Sequence, residues 1–345
     1  MSVKKIAKTV LGPVRRIWKD LEPSFKAWLK YALSRWVLPK LGYEPFTIRN
    51  LGEKAWPRVT MLTAAQDFSA GIERIDWKTA QRSAEDDDGS ELLARYAASS
   101  TPVVLEGYGK RSELCSWDLE TLKAKYGDEE VLVKVGDYVR EFGQPHKMPM
   151  PLGRFVDYLQ GKESFPAEQA IAPGASPYLS NETFPALAER LPQPDFFELQ
   201  EGEQGTGQDV TTFWLGSMGS GTPLHCHHFC DTVVFQLIGS RSFTLVPPHQ
   251  AMQIGYVPHN INIGTALLDP YAEDREQFPG WDRIDCLEVQ LDPGDLLLLP
   301  GFWFHAICLT EPSMSASRFL ISRMPASVGS GPLEPWLQGE FHRGW

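Results

Sequence analysis

The chain has 345 residues, of which 42% are hydrophobic, 22% charged and 11% aromatic; this supports one large or two modest packed cores and excludes a disordered or fibrous chain. Its net charge of -11 excludes broad, sequence-independent binding to DNA or RNA, which depends on neutralising phosphates with Lys and Arg. Five cysteines (Cys115, Cys226, Cys230, Cys286, Cys308) are too few and too scattered for a disulfide framework. With no secretory leader and no run of about 18 apolar residues, the expected setting is cytoplasmic.

The first forty residues carry ten Lys/Arg against Asp20 and Glu22, so the rest of the chain is more acidic than its total suggests. Val3, Ile6, Val10, Val14, Ile17, Leu21 and Phe25 recur every three or four positions, which predicts a basic amphipathic helical segment over 1–45, begun afresh near Pro13. Such a helix is expected to pack on the main domain, in a homodimer contact, on a partner or on an anionic membrane surface. The run Glu85-Asp86-Asp87-Asp88 reads as a solvated turn.

From Ser100 the pattern is regular. Thr101–Gly107 reads as a short strand, Trp117–Tyr126 as a helix, Val131–Val135 as a strand and Pro151–Gly161 as a helix. Turns rich in Pro, Gly and Ser follow Phe165. From Thr211 to Arg323 strands dominate, among them Thr232–Ile238, Ser242–Val246, Leu287–Leu291, Leu296–Leu299 and Ser317–Ser322. The pattern predicts a mainly β barrel or sandwich with helical additions.

The chemistry concentrates in Gly221-Thr222-Pro223-Leu224-His225-Cys226-His227-His228-Phe229-Cys230-Asp231. Alternate side chains of a strand share a face, so His225 and His227 converge and Cys226 points away. Imidazole suits iron, zinc, copper and nickel, and two such donors make half of a metal site. Asp292-Pro293-Gly294-Asp295 then feeds an apolar strand, and Pro300-Gly301-Phe302-Trp303-Phe304 leads to His305, whose burial calls for a partner.

Together these halves resemble the JmjC/cupin-like hydroxylase family, Fe(II)- and 2-oxoglutarate-dependent enzymes of the double-stranded β-helix (jelly-roll) fold. The resemblance runs from Pro102 to about Ser322. It includes Tyr126-Gly127-Asp128, Pro177-Tyr178-Leu179, Trp214-Leu215-Gly216-Ser217, Thr222-Pro223-Leu224-His225, Gly239-Ser240-Arg241, Val246-Pro247-Pro248 and Asp292 through His305. It implies a single catalytic domain over 46–345 with its β-helix core at about 175–325, binding Fe(II), 2-oxoglutarate and O2. His225 and His305 match the family's histidine ligands. Thr222 and Tyr178 match residues that hold the 2-oxoglutarate carboxylate, and Arg241 stands where a lysine is usual; a guanidinium binds carboxylate bidentately.

The chain departs from the family at His227, where the usual ligand is Asp or Glu. A neutral imidazole there leaves the metal one unit more positive. The interval from His225 to Gly239 is also one residue longer than the family's norm, so a β-bulge that switches faces would substitute His228 for His227. Asp231 is a further alternate ligand, as in three-histidine-plus-acid cupins, or a brace for its strand. The expected function is therefore a 2-oxoglutarate-dependent hydroxylase acting on a peptide, protein or natural-product precursor, with the acidic surface favouring a basic substrate. A three-histidine dioxygenase that does not use 2-oxoglutarate and a non-catalytic binding module are the alternatives.

Overall fold

Short strands separated by Gly, Pro and Asp turns fold as two facing sheets. A computed structural model of the chain describes residues 59–83, 89–136, 146–166, 171, 176–192, 210–228, 230–258 and 263–321. The basic segment 1–45 and the acidic run at 85–88 lie outside the described residues. Among the described residues no helix is long and apolar enough to cross a membrane.

The larger sheet holds β1 (Glu73–Asp76), β2 (Val103–Glu106), β3 (Glu130–Lys134), β4 (Lys147–Pro151), β5 (Tyr178–Glu182), β6 (Val210–Gly216), β8 (Cys230–Ile238), β13 (Leu296–Leu299) and β15 (Ser313–Ile321). The smaller holds β7 (Gly221–His227), β9 (Arg241–Val246), β10 (Val257–Pro258), β11 (Ile263–Thr265), β12 (Leu287–Leu291) and β14 (Phe304–Cys308). Their orders are β1-β2-β13-β8-β15-β6-β5-β3-β4 and β10-β11-β7-β14-β9-β12. Chain-adjacent strands such as β7 and β8 fall in opposite sheets, as the jelly-roll core requires.

Period-two alternation sorts the side chains into three apolar layers. Between the sheets, Val104, Val234, Leu297 and Leu299 meet Phe243, Leu245, Val289 and Leu291. Outside the larger sheet, Val103, Leu105, Val233, Phe235, Leu296 and Leu298 share a core with α1 (Ser90–Ala98) and with Leu152, Phe155, Val156 and Leu159 of α3 (Leu152–Leu159). Outside the smaller sheet, Leu224, Cys226, Val246 and Phe304 pack on Ala251, Ile254 and Tyr256. Strands β8 and β13 are covered on both faces, which is why they read as continuous apolar runs and not as alternating ones.

The expected elements recur with shifted ends. The helix expected from Trp117 is α2 (Leu119–Tyr126); Asp118 caps it, its Oδ1 accepting the Thr121 N–H at 2.7 Å. Strand β15 begins at Ser313, four residues before the expected Ser317, because small Ser and Ala residues hide its alternation. Strand β5 emerges from the turn-rich tract after Phe165. The Asp292–Asp295 turn is locked by its last residue: the Asp295 carboxylate accepts the N–H groups of Gly107 and Asp292, each at 3.1 Å, and the Arg74 guanidinium at 3.1 Å. Gly294 supplies the left-handed φ of 98° that this turn needs.

Candidate metal centre

Strands β7 and β14 are hydrogen-bonded neighbours, and their register sets His225 directly opposite His305. His227, two residues on, shares that face. The three imidazoles each offer a ring nitrogen, and these atoms lie within 4.8 Å of one another. Ring centroids are 4.2 Å apart for His225 and His305, 5.0 Å for His227 and His305, and 5.2 Å for His225 and His227.

Each ring is oriented through Nδ1. That atom of His225 donates to the Pro223 carbonyl at 2.7 Å, and that of His305 to the Trp303 carbonyl at 3.2 Å. Because a carbonyl only accepts, the proton sits on Nδ1 in both, which leaves the Nε2 lone pair for a cation. His227 Nδ1 lies 3.3 Å from the Thr232 hydroxyl. Burial lowers the pKa of His225 to about 4 and holds His227 and His305 well below the ordinary histidine range, reinforced by the neighbouring imidazoles. All three are thus neutral at pH 7, the protonation state that ligates metals, and the donor set fits a divalent transition metal.

The alternate ligands lie elsewhere. His228 is fully buried on the opposite face, its Nε2 3.2 Å from the Tyr256 hydroxyl and its ring stacked on Phe302 at 5.8 Å. Asp231 accepts the Gly301 N–H at 2.7 Å and braces the turn that leads into β14. A bulge does fall between His225 and Gly239, but at the far end of β8, where Ile238 and Gln236 face Met314 and Ser315 with one residue extra. It therefore leaves the His225–His227 alternation intact. Cys226 and Cys230 are buried, Cys226 among the apolar residues outside the smaller sheet.

A second bulge, not foreseen from sequence, joins Thr222 to the site. His305 pairs with His225 but Ile307 pairs with Thr222, so β7 carries one extra residue at Pro223–Leu224. This moves Thr222 onto the histidine face, which simple parity would deny it. Its Oγ1 is buried and without a hydrogen-bond partner. Arg241, at the start of β9, is 2% exposed and so is no surface arginine at the barrel's edge. Its guanidinium donates to the Trp214 carbonyl at 3.2 Å, the Ser313 carbonyl at 3.3 Å and the Ser313 hydroxyl at 3.4 Å, and it lies beside the Tyr178 hydroxyl. None of these partners is an anion. Desolvation lowers the guanidinium's pKa and raises that of Tyr178, against which the guanidinium acts. A buried cation on neutral oxygens, with an orphaned hydroxyl on a nearby strand, fits a carboxylate ligand. Trp214, quoted in the resemblance but given no role there, has its ring 6.0 Å from that of Tyr178, and Ser315, whose hydroxyl is also orphaned and which was not singled out in the sequence, belongs to the same interior. Only the pairing of β6 with β15, which sets Trp214 opposite Ser315, shows it.

A jelly-roll barrel whose interior holds three converging neutral histidines and a buried guanidinium has the architecture of the cupin-like 2-oxoglutarate oxygenases. Residues 89–319 match the cupin-like domain family, and the chain belongs to that JmjC-like family, with His225-Cys226-His227 in place of the usual HxD or HxE. It is 28% identical over 189 residues to the Jumonji C domain-containing protein 5 of Drosophila melanogaster, covering 54% of this chain and 41% of the relative. Against the human bifunctional peptidase and (3S)-lysyl hydroxylase JMJD7 it is 27% identical over 222 residues, covering 56% of this chain and 68% of the relative. The lysine-specific demethylase 8 of Xenopus tropicalis is 25% identical over 224 residues, covering 64% and 48%. The chain thus spans less than half the length of two of these three relatives.

Proposed function

We propose that this chain is an Fe(II)- and 2-oxoglutarate-dependent oxygenase that hydroxylates a C–H bond on a peptide or protein side chain or on a natural-product precursor. The observation that carries the reading is the buried Arg241 guanidinium, set on neutral oxygens beside Tyr178 and the unpartnered Thr222 hydroxyl, in the barrel that holds the three histidines. His225, His227 and His305 hold the metal as neutral donors, and Arg241, Thr222 and Tyr178 hold the far carboxylate of 2-oxoglutarate. The bound metal, with 2-oxoglutarate and O2, supplies the oxidising power for C–H hydroxylation, with succinate and carbon dioxide as co-products. The Pro223 and Trp303 carbonyls fix the tautomer and aim of two ligands. Phe243, Leu245, Val234 and Leu297 exclude water from the interior.

The test is succinate formed from 2-oxoglutarate with Fe(II) and ascorbate. The wild type and His227→Asp should both turn over, and His305→Ala should be inactive. Arg241→Ala should raise the KM for 2-oxoglutarate roughly 10- to 100-fold, from loss of a charge-assisted bond. Silence of both wild type and His227→Asp with iron stoichiometrically bound overturns the reading. Substrate oxidation that ignores both Arg241→Ala and 2-oxoglutarate would assign the three histidines to a dioxygenase that acts on its substrate directly.

A further inference from the structure

The three imidazoles are not held alike. His225 and His305 each turn Nδ1 to the carbonyl two residues earlier on their own strand, a backbone contact that no side-chain substitution removes. His227 instead turns Nδ1 to a side chain of the other sheet, the Thr232 hydroxyl of β8, at 3.3 Å. The register of the larger sheet sets Thr232 between Leu299 of β13 and Phe319 of β15. Leu299 belongs to the layer between the sheets, so this row of side chains faces the smaller sheet. Phe319, directly opposite Thr232, brings its ring to 5.2 Å from that of His227, at an interplanar angle of 64°. His227, Thr232 and Phe319 are all buried. One cross-strand pair therefore meets one imidazole from across the barrel.

We propose that Thr232 and Phe319 are positioning residues for His227, and that they make the imidazole at this position a supported metal ligand in place of the family's carboxylate. With Nδ1 turned to the hydroxyl, Nε2 is left for the cation, as in His225 and His305. A hydroxyl both accepts and donates, and it holds the metal-binding form by accepting the Nδ1 proton. The Phe319 ring suits a neutral aromatic neighbour, whereas a buried carboxylate gains nothing from an apolar ring. The departure at His227 is thus matched by residues of two other strands, which a histidine left behind by the loss of a carboxylate would not need. Because the pair belongs to the larger sheet and His227 to the smaller, this ligand is aimed by the packing of the two sheets, while the other two are aimed within one. The inference rests on the three-histidine metal centre, and it is measurable without turnover.

The experiment is titration of the whole chain with Co2+ in the absence of oxygen, read by calorimetry and by the visible absorption of the bound ion, beside a thermal melt of each metal-free protein. Thr232→Val keeps the shape of the side chain and removes the acceptor; it should weaken Co2+ binding roughly 10- to 100-fold and alter the absorption bands. Thr232→Ser returns the hydroxyl and should restore both. Phe319→Leu should weaken binding roughly 2- to 10-fold, the value of an aromatic contact. On a His227→Ala background Thr232→Val should lower the affinity no further, because the ligand through which it acts is gone. Thr244→Val removes another buried hydroxyl, bonded to Tyr271 and Glu288, and should lower the melting temperature while leaving Co2+ affinity unchanged. A Thr232→Val variant that binds Co2+ as the wild type does, or that weakens it equally when His227 is absent, overturns the proposal and leaves the metal centre standing. A Thr232→Ser variant as weak as Thr232→Val also overturns it, since the hydroxyl is then not what acts. A wild type that binds no Co2+ removes the three-histidine centre and the proposal with it.

Discussion

His305 is held from two directions, and both run through backbone. Its Nδ1 donates to Trp303, and the turn before it is tied down by the Asp231 oxygen on Gly301 and by the Phe302 N–H on the His227 carbonyl at 2.7 Å. Phe302 takes a left-handed φ of 71°, a strained conformation for a non-glycine residue that these bonds impose. Asp231 is therefore a positioning residue. Asp231→Ala leaves a buried N–H without an acceptor and should cost about 1–3 kcal/mol in urea unfolding. It should also weaken metal binding about 10- to 100-fold by freeing the turn. Asp231→Asn keeps an accepting oxygen and should restore both; a metal affinity that stays low in the Asn variant would mark Asp231 as a ligand instead.

At the scale of elements, the site depends on one irregular strand pair. The extra residue at Pro223–Leu224 lets Thr222 and His225 share a face, and proline suits the bulge because it has no N–H to leave unpaired. Gly221 makes the pairing close: a Cβ there would lie 2.0 Å from the Ile307 carbonyl oxygen. Gly221→Ala must push β7 from β14, and should cost roughly 1–3 kcal/mol or more. Because His225 and His305 face each other across that pair, the variant should lose metal affinity together with stability. Calorimetric titration with Mn2+ beside a thermal melt checks this, and a destabilised variant with unchanged affinity would show that the ligands tolerate the shift.

At the scale of the molecule, the residues of the proposed site come from both sheets. The three histidines, Thr222 and Arg241 come from the smaller sheet and Tyr178 from the larger. A cosubstrate held by both should act as a clip between them. At about 100 times its dissociation constant a ligand adds roughly 2.7 kcal/mol, or roughly 4–5 °C in Tm for a domain of this size. In scanning calorimetry with Mn2+, 2-oxoglutarate should produce such a shift in the wild type and a much smaller one in Arg241→Ala, while Mn2+ alone stabilises both. Equal 2-oxoglutarate shifts in the two proteins would take the carboxylate away from Arg241.

Much of this was legible in the chain. The strand period placed His225 and His227 on one face and Cys226 on the other, and the continuous apolar run Leu296–Leu299 marked a strand covered on both faces, because these are properties of one strand and its immediate environment. What tertiary structure decided depends on pairing between strands distant in sequence. The location of the β8 bulge keeps His227, and not His228, beside His305; the β7 bulge brings in Thr222; and Asp231 turns to Gly301. Lys134 is the clearest case. In sequence it is one lysine at the end of an apolar strand, an ordinary solvated position, and no local pattern says otherwise. Its burial exists only because β5 pairs with β3, setting Tyr178 opposite it across more than forty residues of chain, and its desolvation comes from the fold and not from its neighbours in sequence.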